Sequence, residues 1–154
     1  MGVGGSLSIP YFLNSQKATE QPVSEEPVAR IKIYAISEKG IVLSSNASPH
    51  LPEIDVSIDT PTVGSRLGGV ELAMTLSFLN ELKFRNIGVG SVKIYSKDMM
   101  ILTTADTIRV LYASTNDVVA LSSSLQTMLS VFTIEGTRPR EIDLRYDKPV
   151  LRYN

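Results

Sequence analysis

Apolar and polar positions alternate along "RIKIYAIS", Arg30 to Ser37, with Ile31, Ile33 and Ala35 on one side and Arg30, Lys32 and Tyr34 on the other. A period of two belongs to a half-buried strand. Lys39-Gly40 supplies turn chemistry and "IVLSS" follows, so this stretch predicts a hairpin. "NASPHLPEI" is broken by Pro49 and Pro52 and reads as a loop. "DVSIDTP" predicts a short strand ended by Pro61. The period then changes. In "VELAMTLSFLNELKF" Leu72, Leu76, Leu79 and Leu82 or Lys83 recur at helical spacing, and Asn86 and Gly88 are suitable stops.

Three further strands are predicted in "SVKIYS", "MMILTT" and "TIRVLYA". Their links, at Lys97-Asp98 and Ala105-Asp106, are short enough for an antiparallel meander. "STND" offers N-caps for a second helix, whose stripe would be Val118, Leu121, Leu125, Met128 or Leu129, and Phe132. After Gly136 and Pro139 comes a closing strand, "EIDLRYD". Ile142, Leu144 and Tyr146 would face the helices, and Asp143, Arg145 and Asp147 would stay wet. Past Lys148-Pro149 the strand is expected to continue through "VLRY". The order is hairpin, helix, three strands, helix, strand. That predicts an α+β fold, a mostly antiparallel sheet with two amphipathic helices packed on it and a C-terminal edge strand. Residues 1–28, polar and punctuated by glycine and proline, are expected to be poorly ordered, so order begins at Arg30.

Composition narrows the function classes. Fifteen basic residues against sixteen acidic ones leave a formal charge of -1, which gives no electrostatic case for nucleic acid. There are no cysteines, so disulfides, thiolate zinc sites and cysteine nucleophiles are excluded. No run of about twenty apolar residues is present to span a bilayer. "MGVGGSLSIPYFLNSQ" lacks the basic start and unbroken apolar core of a signal peptide.

Candidate chemistry is sparse. The single histidine, His50, lies in a proline-bounded loop, where acid–base work would need a positioned partner. "DTPTVGSRLGG", Asp59 to Gly69, sets Gly64, Gly68 and Gly69 before a helix, which could cradle an anion at its N-terminus. No Lys-Ser or Lys-Thr follows, so it is not a phosphate-binding P-loop. The carboxylates are scattered, with no pair spaced for one helix face. A binding or scaffolding module with no cofactor is the better expectation. A small hydrolase or ligand-binding domain using the Asp59–Gly69 loop is the alternative from another class. A self-pairing module is a third.

The closing motif resembles the end of the β-domain of the bacterial division proteins FtsQ and DivIB. The residues that carry the resemblance are Ile142, Asp143, Leu144, Arg145 and Tyr146. "EEPVAR", Glu25 to Arg30, is similar to the signature that ends the family's POTRA domain. "YAISEKGIVL", Tyr34 to Leu43, looks like its link into the β-domain, and "LPEI" and "VGSRLGG" fall in the corresponding order. The resemblance implies that residues 1–28 are a linker or the remnant of a preceding POTRA domain, and that residues 29–154 are the β-domain. It implies a non-enzymatic scaffold outside the cytoplasm, on a parent protein anchored in the cell membrane by a segment this chain does not contain. The implied partners are FtsB/DivIC-like and FtsL-like division proteins, with no nucleic acid and no small-molecule substrate. The partner would add a strand to the sheet edge, and the implied partner-binding residues are Arg145, Tyr146, Lys148, Val150, Leu151, Arg152 and Tyr153. Pro149 lacks a ladder donor and suits such an edge. An open edge must be short, charged or paired, and strand addition is its functional use.

Overall fold

The structure is a computed structural model that describes residues 11–17, 30–46 and 50–154. The chain divides into two compact units, residues 1–67 and 68–154. Strands and helices are mixed and most strand pairs are antiparallel, so the fold is α+β as the pattern predicts.

The first unit holds four strands: β1 (Tyr11–Lys17), β2 (Arg30–Ile36), β3 (Val42–Ser44) and β4 (Glu53–Val56). Their order is β3-β2-β1-β4. The predicted hairpin is β2–β3. Gly40, at φ 79°, takes the left-handed position in its turn, which glycine adopts without steric penalty. The Ser37 hydroxyl accepts the amides of Lys39 and Ile41 at 3.2 and 3.1 Å. No strand was expected before Arg30, yet β1 runs antiparallel to β2 and parallel to β4, with Leu13 opposite both Tyr34 and Ile54. The rest of 1–28, namely residues 1–10 and 18–28, lies outside the described residues. The alternation in β2 also departs from expectation. Tyr34, Ala35 and Ile36 are all buried, whereas Ile33 is exposed. Burial of three successive residues means that β2 is covered on both faces over this stretch, which a simple period-two reading does not anticipate.

The second unit contains α1 (Val70–Phe84), β5 (Val89–Ser96), β6 (Met99–Thr104), β7 (Arg109–Tyr112), α2 (Val118–Glu135), β8 (Glu141–Asp143) and β9 (Val150–Arg152). The α1 boundaries coincide with the periodic stretch. Its end is a Schellman arrangement, in which Asn86 N–H reaches the Lys83 carbonyl and Ile87 N–H the Leu82 carbonyl, at 3.0 and 2.9 Å. Asn86 sits at φ 59°, a conformation asparagine tolerates better than most residues. Helix α2 starts where Asp117 Oδ1 accepts the Ala120 amide at 2.8 Å and ends at left-handed Gly136. Both helices therefore stop on local chemistry written in the sequence.

Strands β5, β6 and β7 form the predicted antiparallel meander. Helix α1 buries Leu72, Leu76, Leu79 and Leu82 as expected, with Met74, Thr75 and Phe78 besides. It is tied to the sheet by Phe78, whose ring meets Tyr112 edge-on at 4.9 Å between centroids. The Thr75 hydroxyl lies 2.7 Å from the Tyr112 hydroxyl and 3.4 Å from the Met100 sulfur. Burial pushes the Tyr112 phenol well above its usual range, although the Thr75 hydrogen bond opposes that shift. On α2, Leu121, Leu125 and Phe132 are buried and Val118, Met128 and Leu129 are half-buried. Its 18 residues are apolar and long enough to cross a membrane, but here α2 is the crossover between β7 and β8. These two strands are parallel, and parallel neighbours need such a connection.

The closing strand is two strands. β8 pairs with β7 and with β9, and β9 returns antiparallel to β8. The break has a local cause. Asp143 Oδ1 accepts the Arg145 backbone N–H, two residues on, at 3.1 Å. That is an Asx turn, which competes with strand continuation.

Candidate functional site: the C-terminal edge hairpin

The sheet registers sort the side chains at this end of the chain. Met100 and Tyr112 contact Thr75 of α1, so their face is the helix face. Val110 and Ile142 share it by register and alternation. Arg109, Glu141 and Arg152 are in register on the opposite face, as are Leu111, Asp143 and Val150.

Ile142 and Leu144 are buried as expected, whereas Tyr146, expected to face the helices with them, is exposed because the chain turns at Asp143–Arg145. Asp143 was expected to stay wet and does not: it is 2% exposed. A buried carboxylate needs a charged or hydrogen-bonding partner, and Arg145 supplies one from its own turn. Its Nε donates to Oδ1 at 2.9 Å and its Nη2 to Oδ2 at 2.7 Å. This bidentate bond lowers the Asp143 carboxyl from its ordinary range against the opposing effect of burial. The same bond raises the guanidinium of Arg145. The arginine that looked like a partner contact is therefore engaged within the hairpin, at 22% side-chain exposure.

Glu141 is the second buried carboxylate of β8. It takes Arg109 Nη1 of β7 at 3.2 Å and Arg152 Nη1 of β9 on its other oxygen. Neither Glu141 nor Arg109 stood out in the sequence. Their shared role follows from strand register, which one chain's pattern does not reveal when the pairing is parallel and nonlocal.

The seven residues singled out for partner binding do not lie on one straight strand. Arg145, Tyr146 and Lys148 occupy the 144–149 loop; Val150, Leu151 and Arg152 form β9; Tyr153 follows it. Tyr146, Val150, Leu151 and Tyr153 are large, apolar or amphipathic, and exposed. Tyr146 is 64% exposed and has the Arg145 guanidinium 5.3 Å from its ring centroid, which holds the ring beside the turn. Among the described residues β9 is the outer strand of this sheet, and all three of its side chains are exposed.

The other candidates separate from this region. His50 and Asp59 are exposed. The glycine loop is engaged with β3: Gly64 N–H reaches the Val42 carbonyl at 2.8 Å, Val42 N–H reaches Ser65, and Leu67 N–H reaches Gly40. Two amides that an anion cradle would use are thereby committed to covering that strand. No group of three or more histidines and carboxylates is placed to hold a metal ion among the described residues. A cleft of about 260 Å³ lies between the end of α1, α2 and the β6–β7 turn, where Arg85 donates to Gln126 at 2.8 Å. No family model matches this sequence, and no curated protein matches it significantly.

Proposed function

We propose that this chain is a non-enzymatic scaffold of bacterial cell division, of the FtsQ/DivIB type, working outside the cytoplasm on a membrane-anchored parent protein. It gathers FtsB/DivIC-like and FtsL-like proteins by strand addition to β9. The observation that carries this reading is the state of β9: three residues at the outer edge of the sheet, every side chain exposed, flanked by exposed Tyr146 and Tyr153. Backbone groups on such an edge offer affinity, and the alternating Val150, Leu151 and Arg152 side chains offer choice of partner. The Ile-Asp-Leu-Arg-Tyr sequence supports the family, and the hairpin gives that sequence a physical role, since Asp143 and Arg145 set the turn that presents Tyr146.

The test is titration of the isotope-labelled chain with the extracytoplasmic segment of an FtsB/DivIC-like protein, followed by amide NMR. Shifts concentrated on 146–153 are expected, and Leu151→Pro, which removes an edge donor, is expected to reduce them. An unchanged spectrum at large partner excess would remove the strand-addition reading.

A further inference from the structure

We infer that the helix-free face of the second unit carries an anion site for a phosphate group, built from Arg109, Arg152 and Arg138, of which only Arg152 belongs to the partner edge β9. Three backbone relationships assemble it. Arg109 N–H donates to the Arg140 carbonyl at 3.0 Å, Arg140 N–H donates to the Arg152 carbonyl at 2.8 Å, and Arg109, Glu141 and Arg152 are in register across β7, β8 and β9. The guanidiniums of Arg109 and Arg152 converge on the two oxygens of one carboxylate, Glu141. Two arginines are thus paired directly with one carboxylate, which lies beneath them, 11% exposed against 39% and 54% for the two arginine side chains. Arg138, two residues before Arg140, donates from Nη2 at 3.4 Å to the hydroxyl of Thr107, two residues before Arg109.

The face therefore presents guanidinium donors outward over a buried acid. Asp143 lies on the same face and feels the Arg152 charge, but its carboxylate is held bidentately by Arg145; Asp106 and Glu135 are the other nearby carboxylates in sequence. Asp106 lines the cleft against α2 and Glu135 ends α2, so both belong to the helix side of the sheet. Each guanidinium has five N–H groups in a planar fork, and the bonds described use one on each arginine. A tetrahedral anion with several equivalent oxygens suits two forks held side by side better than a single carboxylate does. The chain's formal charge of -1 provides no general attraction for anions, so binding here would be local to these arginines. The chemistry is that of a phosphate, supplied either by a soluble phosphate compound or by an anionic lipid headgroup.

The experiment uses the full chain with two probes. Inorganic phosphate is titrated while the Arg Nε–Hε and backbone amide signals are followed. Separately, sedimentation compares vesicles of phosphatidylglycerol and phosphatidylcholine with vesicles of phosphatidylcholine alone. Shifts at Arg109, Arg138 and Arg152 with phosphate support a soluble ligand. Sedimentation only with the phosphatidylglycerol vesicles supports a headgroup. The triple variant Arg109→Gln, Glu141→Gln, Arg152→Gln removes the cations without stranding the buried acid, and Arg138→Gln leaves that acid untouched. Loss of two charge-assisted contacts should weaken binding by roughly tenfold or more in the triple variant. Silence in both arms with the native chain, or binding unchanged in both variants, would overturn the site. Titration with the division-protein segment, read at Tyr146, Val150 and Leu151, which the anion site does not use, tests strand addition by itself, so failure here leaves that reading standing.

Discussion

Asp143 and Arg145 are bound to each other across a single intervening residue, by one backbone and two side-chain hydrogen bonds. The pair ends β8, turns the chain and covers a carboxylate that would otherwise be buried alone. Arg145→Ala is therefore a poor probe of partner contacts. It should destabilise the fold by about 3 kcal/mol, as expected when a buried pair loses one member. Asp143→Asn, which leaves unpaired only the cation of Arg145, 22% exposed and able to reach water, should cost less. Urea unfolding followed by circular dichroism would rank the two; equal stability of Arg145→Ala and the native chain would show that the pair contributes nothing.

The same pair sets a pH dependence. The folded state holds the Asp143 carboxyl below its ordinary value, chiefly through the Arg145 hydrogen bond. A depressed carboxyl contributes stability above its unfolded pKa, about 3.9, and that contribution is lost as pH falls toward the folded value. The native chain should therefore lose more stability than Asp143→Asn between pH 6 and pH 3. The comparison needs urea midpoints for both proteins at the two pH values. Parallel declines would assign the acid sensitivity to other carboxylates.

Much of the second unit was legible because its signals are local. Leu72, Leu76, Leu79 and Leu82 mark α1 by spacing alone, Asp117 marks the start of α2, and the two-residue link at Lys97-Asp98 forces neighbouring strands. What escaped was nonlocal. "YFLNSQK" becomes β1 only by pairing with β2 on one side and β4 on the other. The closing motif read as one strand because its alternation is regular, while the Asx bond that breaks it depends on an aspartate buried by its neighbours. Of the residues the motif implies for partner contact, Arg145 belongs to the turn and Val150 to Arg152 to the edge.

Thr107 sits at φ 69°, in the left-handed region, where a β-branched residue is strained by about 1–2 kcal/mol. Its N–H closes the β6–β7 turn on the Thr104 carbonyl at 2.9 Å. Thr107→Gly should relieve that strain and raise the melting temperature, although glycine's greater freedom in the unfolded chain offsets part of the gain. At Asn86 the same exchange should be close to neutral, since asparagine already tolerates φ 59°. Calorimetry of the two variants checks both statements, and a lower melting temperature for Thr107→Gly would mean that the Thr107 side chain contributes more than its backbone costs.

The buried contact between Thr75 and Tyr112 should couple α1 to β7 energetically. Tyr112→Phe and Thr75→Val each leave one hydroxyl without its principal partner, at about 1–2 kcal/mol apiece. Together they should cost less than their sum, because an apolar pair of similar shape strands no donor. A double-mutant cycle by urea unfolding measures this, with a coupling of about 1 kcal/mol expected. Strict additivity would show that the 2.7 Å contact carries no energy of its own.

Tyr146 provides the sharper functional probe. Its ring is 64% exposed and its polar neighbour, Arg145, already has Asp143. Tyr146→Ala should therefore leave stability within about 0.5 kcal/mol of the native chain, as is usual for exposed positions. If the hairpin is a partner surface, the same substitution should weaken partner binding by tenfold or more, because aromatic side chains dominate interface energetics. Arg145→Ala should disturb both quantities, through the turn. Calorimetric titration with the extracytoplasmic segment of an FtsB/DivIC-like protein, run beside urea unfolding, separates these effects. Unchanged affinity in Tyr146→Ala would confine the partner surface to β9 and the residues after it.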